Sequence, residues 1–111
     1  MGFDGDKYRG STGRFITKEE KNLLVQEGIP FQVVGIRQVF KFDKENYELT
    51  ILMPDPTTGE EEERVLTFPI GSGAESRDAQ LAGLAAHFEE NDEPWTAKMY
   101  QQGRGYYLQN A

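Results

Sequence analysis

The sequence predicts a mainly β protein of the α+β class: a five-stranded barrel with one helix between strands three and four and a short N-terminal helix. Three observations predict it. Glu75–Asn91, ESRDAQLAGLAAHFEEN, places Leu81, Leu84, Ala85 and Phe88 at i, i+3, i+4 and i+7, which is one helical stripe. Three runs rich in β-branched and aromatic residues precede that helix and two follow it. The first run carries Gly35 at its middle, where a strand that serves both halves of a small barrel has to bulge or bend.

In chain order, Met1–Arg14 holds four glycines and little apolar surface, and reads as a flexible arm ahead of a single domain over 15–111. Thr17-Lys18-Glu19-Glu20 has the spacing of a capping box, so a helix should run Lys18–Glu27 and stop at Gly28. Leu23 and Leu24, with Phe15 or Ile16, would form its buried side. Pro30–Phe42 reads as a long first strand, Asp43–Asn46 as a turn and Tyr47–Met53 as the second strand. In that strand Tyr47, Leu49, Ile51 and Met53 share one face. Pro54–Glu63 has two prolines and a glycine and reads as a wide hairpin loop. Arg64–Ile70 is the third strand, with Pro69 at its end or edge. After the central helix come Trp95–Gln101, a turn at Gln102–Gly105, and Tyr106–Asn110.

Composition narrows the function classes. A chain of 111 residues fits one domain that buries a core without metal or disulfide. Cysteine is absent, which removes thiolate zinc sites and cysteine nucleophiles and suits a reducing compartment. No apolar run has the length of a membrane span and the N-terminus lacks a signal-peptide core, so a cytoplasmic location is expected. The net charge is −7, but Asp55 and Glu60, Glu61, Glu62 and Glu63 supply −5 of it, leaving only −2 for the rest. A cationic groove away from that stretch is compatible with this balance.

No catalytic constellation stands out. His87 is the only histidine and lies near a helix C-terminus, where a cation suits the helix dipole. The serines have no histidine at a suggestive spacing, and the acids cluster in a loop and at helix ends. Gly71-Ser72-Gly73 precedes a helix but lacks the lysine and spacing of a P-loop. The expectation is a non-enzymatic protein without cofactor or metal.

The layout of strand with mid-strand glycine, strand, wide hairpin, strand, helix and terminal hairpin resembles the oligonucleotide/oligosaccharide-binding (OB) fold along residues 30–110. GIPFQVVGIRQV after a short leader and the Arg77-Asp78 pair opening the helix look like small OB-type proteins of bacterial viruses. The resemblance implies binding of single-stranded DNA or RNA, in the host-cell cytoplasm and alongside replication. Gly35 matches the glycine of the family's first strand. The chain departs from the family in being acidic overall, and in ending Leu108-Gln109-Asn110-Ala111 without the acidic tail of some bacterial single-strand binders.

Single-strand binding needs aromatic platforms with Lys or Arg beside them. Two clusters have that composition. Arg37, Phe40, Lys41 and Phe42 crowd the end of the first strand, and Lys98, Tyr100, Arg104, Tyr106 and Tyr107 occupy the terminal hairpin. The alternative reading is a protein–protein interaction module in which Asp55, Glu60, Glu61, Glu62 and Glu63 contact a basic partner or mimic nucleic-acid charge.

Overall fold

The computed structural model describes residues 14–55 and 58–111. Among these residues it is an α+β fold of one six-stranded sheet and two helices. In chain order these are β1 (Arg14–Phe15), α1 (Lys18–Glu27), β2 (Phe31–Lys41), β3 (Lys44–Pro54), β4 (Glu61–Pro69), α2 (Glu75–Glu90), β5 (Trp95–Gln102) and β6 (Gly105–Asn110). The sheet order is β1-β4-β3-β2-β5-β6. Among the described residues only the β1–β4 pair is parallel. No helix among the described residues is long and apolar enough to cross a membrane.

Both helices form where the residue pattern places them. Thr17 caps α1 reciprocally: its Oγ1 accepts from Glu20 N at 3.1 Å, and Glu20 Oε1 accepts from Thr17 N at 3.0 Å. Gly28 ends α1 in the left-handed region at φ 61°, which costs a glycine little, and its N–H donates to Leu24 O. Leu24 is fully buried and Ile16 packs against the core, whereas Phe15 is 55% exposed. Helix α2 buries Leu81 and Leu84 and lays Phe88 partly on the core.

Strand β2 carries the geometry of the whole sheet. Its first residues pair on both sides, with β3 and with β5, while its C-terminal part pairs with β3 alone. The register slips between Val33 and Gly35, so a β-bulge sits where the mid-strand glycine predicted one. The slip changes which residues face inward. Val33 is in the core before it, and Ile36, three positions on, packs against the core opposite Leu49 after it. Leu49, Ile51 and Met53 are buried with Tyr47 beside them, on the face expected. Leu66 and Phe68 of β4, Ala97 and Met99 of β5, and Leu108 of β6 complete the interior.

Three local expectations need correction. Glu61, Glu62 and Glu63 belong to β4 and not to a loop, because the long β3 continues its ladder as far as Pro54–Glu61. Strand ends whose side chains reach solvent tolerate a charge run. The β2–β3 connection is the two-residue turn Phe42-Asp43 and not Asp43–Asn46. Asn46 lies inside β3, where its Nδ2 donates to Lys41 O at 3.2 Å and Lys44 O at 3.0 Å and so fastens the turn. The expected N-terminal arm falls at residues 1–13 outside the described part, and Arg14, assigned to that arm, is in β1.

The sheet is open. No ladder joins β6 to β4 or β1 among the described residues. The outward carbonyls of β6 are taken by side chains of α2. Arg77 Nη1 donates to Tyr106 O at 2.9 Å and Gln80 Nε2 donates to Leu108 O at 3.0 Å. A helix thus covers the edge that a closing strand would have used.

A buried ionic cluster joins α1 to β1 and β4. Glu20 receives Arg14 Nη1 and Nη2 at 3.0 and 2.8 Å, and Arg64 Nε at 3.2 Å. Burial pushes the Glu20 carboxyl up. Arg14, the Thr17 amide and Arg64 together reverse that and hold it at about 2, against an ordinary 4.5. Its folded value lies below the unfolded one, so the cluster stabilises the fold at neutral pH and is lost as the carboxyl protonates. With allowance for solvent around Arg14, this contributes roughly 2–3 kcal/mol. Urea melts should show stability falling as pH drops from about 5 towards 2, and Glu20→Gln should flatten that part of the profile. An unchanged profile in the variant would dissociate Glu20 from acid unfolding.

Candidate nucleic-acid interface

The nine residues expected to contact nucleic acid form two separate groups. Phe40 and Lys41 end β2, Phe42 opens the turn that follows, and Arg37 lies earlier in the same strand. Strand β5 pairs only with the opposite end of β2, at Phe31–Val33, and then runs on past it. No hydrogen bond, ion pair or ring contact links the groups among the described residues.

In the first group the cations are already engaged. Arg37 lies opposite Glu48 in the ladder and donates to its Oε1 through Nε at 2.9 Å and Nη2 at 2.7 Å. Lys41 Nζ reaches Glu48 Oε2 at 3.2 Å and stands 4.9 Å from the centre of the Phe15 ring. Burial raises the Glu48 carboxyl, and the two cations override this and hold it below the usual range. A phosphate would have to compete with that carboxylate. The rings, in contrast, are open: Phe40 is 66% and Phe42 88% exposed.

Phe42 also carries backbone strain. Phe42 and Asp43 have φ 56° and 60°, the sign pattern of a type I′ turn, which suits aspartate and disfavours phenylalanine. A residue so held costs roughly 1–3 kcal/mol, which the Asn46 side-chain bonds help to offset.

The second group sits on a hairpin free of acids. Residues 95–111 contain Lys98 and Arg104 and no Asp or Glu. Neither cation makes an ion pair among the described residues. Tyr100 and Tyr107 face each other across the β5–β6 ladder, and their rings stack with centres 5.5 Å apart at 24°. Tyr100 is the more exposed ring at 37%. The turn is Gly103-Arg104, with φ 62° at the glycine, so Arg104 stands at the tip. Gly105 serves the pair directly. A Cβ there would come within 3.0 Å of Tyr107 Cε1, so the Tyr107 ring lies across the glycine.

Tyr106 points the other way. It packs against the core, donates its hydroxyl to Asn22 Oδ1 at 2.8 Å, and has Lys21 Nζ at 4.8 Å from its ring centre. It fastens the turn end of the hairpin to α1.

The residue that composition did not single out is Arg77. It is only 7% exposed, and its guanidinium lies 4.7 Å from the Phe68 ring and 5.3 Å from the Tyr107 ring. Its position in the first turn of α2 was the available signal, because a cation there runs against the helix dipole and must be held by something else.

The acidic stretch is partly occupied. Arg64 Nη2 lies 3.0 Å from Glu62 and 3.9 Å from Asp55, while Glu60 and Glu61 are exposed. No group of three His, Asp or Glu residues that could hold a metal occurs among the described residues. No family model matches this chain, and no curated protein or solved structure matches it significantly.

Two substitutions test this geometry. Gly105→Ala should displace the Tyr107 ring and cost about 1–3 kcal/mol in urea melts, with a changed near-ultraviolet circular dichroism spectrum. Phe42→Gly should relieve the turn and leave stability equal or up to about 1 kcal/mol higher. A clear loss in the second case would show that the exposed ring stabilises the fold.

Proposed function

We propose that the protein is a non-enzymatic binder of single-stranded nucleic acid, and that the strand runs over the β5–β6 hairpin. One observation carries the reading: a stacked tyrosine pair with one exposed ring, flanked by two cations free of ion pairs among the described residues, on a hairpin without Asp or Glu. Stacking accepts any base, so sequence preference would be weak, and the cations would hold the phosphates. Phe40 and Phe42 supply further ring surface at the far end of β2. Arg37 and Lys41 serve there by fixing the sheet through Glu48.

The same reading treats β2 to β6 as an incompletely closed relative of the OB barrel. It rests on the shared strand β2, the bulge at Gly35 and the helix between β4 and β5.

Anisotropy of a labelled poly-thymidine oligonucleotide, titrated at rising salt, tests the proposal. Binding should weaken linearly on logarithmic axes, with a slope of about −0.7 per phosphate contact. Tyr100→Ala should cost about 1–3 kcal/mol of binding. Lys98→Gln and Arg104→Gln should each reduce the slope by about 0.7, and Arg37→Gln should leave it unchanged. Absence of binding at low salt would sink the reading, and the exposed Glu60 and Glu61 would then be tested against a basic protein partner.

A further inference from the structure

Several clefts mark the described surface. One, about 450 Å³, lies between the end of α2 and the start of β5. Its polar groups satisfy one another. His87 Nε2 lies 3.2 Å from Glu93 O, and Trp95 Nε1 donates to Asn110 Oδ1 at 2.7 Å. Another, about 370 Å³, opens between β4 and β6, where the barrel does not close. Its chemistry is different. Lys21, Arg77 and Arg104 line it together with Phe68 and Tyr106, and no carboxylate does.

Three cations converging without an acid is unexpected on a chain of net charge −7. The buried one makes the stronger case. Arg77 is more than nine-tenths buried, and a buried charge is ordinarily paired with an opposite one. Arg77 has no carboxylate partner among the described residues. Nη1 donates to a carbonyl, Nη2 makes one long contact of 3.4 Å to Ser72 Oγ, and Nε has no partner. The Phe68 and Tyr107 rings offset part of the charge and none of the missing hydrogen bonds. Asp78, next in the chain, accepts from Gly71 N at 2.9 Å and does not line the cleft.

We propose that this cleft is a phosphate-binding site. A phosphate carries the charge that three cations lack, and its oxygens match a guanidinium fork with two further donors. The volume leaves room for the group to which the phosphate is attached. Arg77 also lines a smaller hollow with Tyr100 and Tyr107, so the cleft adjoins the stacking pair. If the single-strand reading holds, the ligand is the terminal phosphate of a strand whose last base stacks at Tyr100. This last step rests on that reading, whereas phosphate capture does not.

The test uses the full chain. Arginine Nε–H resonances are followed by heteronuclear NMR during titration with inorganic phosphate, and the Arg77 signal is assigned by its loss in Arg77→Lys. A saturable shift of that signal is expected, with affinity reduced about tenfold or more in Lys21→Gln and in Arg104→Gln, each of which removes an exposed or half-buried charge. Oligothymidines carrying or lacking a 5′-terminal phosphate then separate the sources. Tighter binding of the phosphorylated strand identifies a nucleic-acid end. Equal binding of the two strands, with the phosphate shift retained, identifies free phosphate or a nucleotide. No Arg77 shift with phosphate or with the phosphorylated strand overturns the site, even where the unphosphorylated strand binds the hairpin.

Discussion

The guanidinium of Arg77 stands in the gap that keeps this sheet from being a closed barrel. It touches Phe68 on one side of the opening and the Tyr106 carbonyl and Tyr107 ring on the other. A strand ladder would have closed that gap with backbone hydrogen bonds and left no cation in it. Here a helix supplies donors instead, through Arg77 and Gln80, to the Tyr106 and Leu108 carbonyls of the edge strand. The consequence is a cleft at the seam, with a charged group buried at its wall. The terminal hairpin depends on the same side chain, since Arg77 holds the Tyr107 ring on which Tyr100 stacks.

The acidity of the chain is segregated, and this decides which cations can act. Glu20 is spent on Arg14 and Arg64, and Glu48 on Arg37 and Lys41. Glu62 and Asp55 lie within reach of Arg64. These clusters tie α1 to the sheet edge and lock the β2–β3 ladder. The terminal hairpin has no acids of its own, so Lys98 and Arg104 keep their charge for solvent or a ligand. Net charge therefore describes the molecule poorly: a negative total coexists with a positive seam.

Much of the fold was legible in the residues because its signals are local. The box from Thr17 to Glu20, the glycine at 28 and the stripe from Leu81 to Phe88 each act within a few residues of themselves. The bulge at Gly35 was legible for the same reason. The strand extent of Glu61–Glu63 was not, because a charge run looks like a loop until a partner strand of sufficient length lies beside it. The turn at Phe42-Asp43 was hidden as well, since its support comes from Asn46, a residue that composition assigns to the turn itself.

The sequence by itself determined the helices, five of the six strands, the inward face of β3 and the two places where aromatic and basic residues gather. Alternation and capping are short-range rules, and they hold whatever the rest of the chain does. The tertiary structure decided what those residues are free to do. It paired Arg37 and Lys41 with Glu48, packed Tyr106 against the core, set Tyr100 on Tyr107, and buried Arg77 without an acid among the described residues. Each of these depends on which side chain stands opposite across a ladder or a seam. That is a relation between distant residues, and spacing along the chain does not encode it.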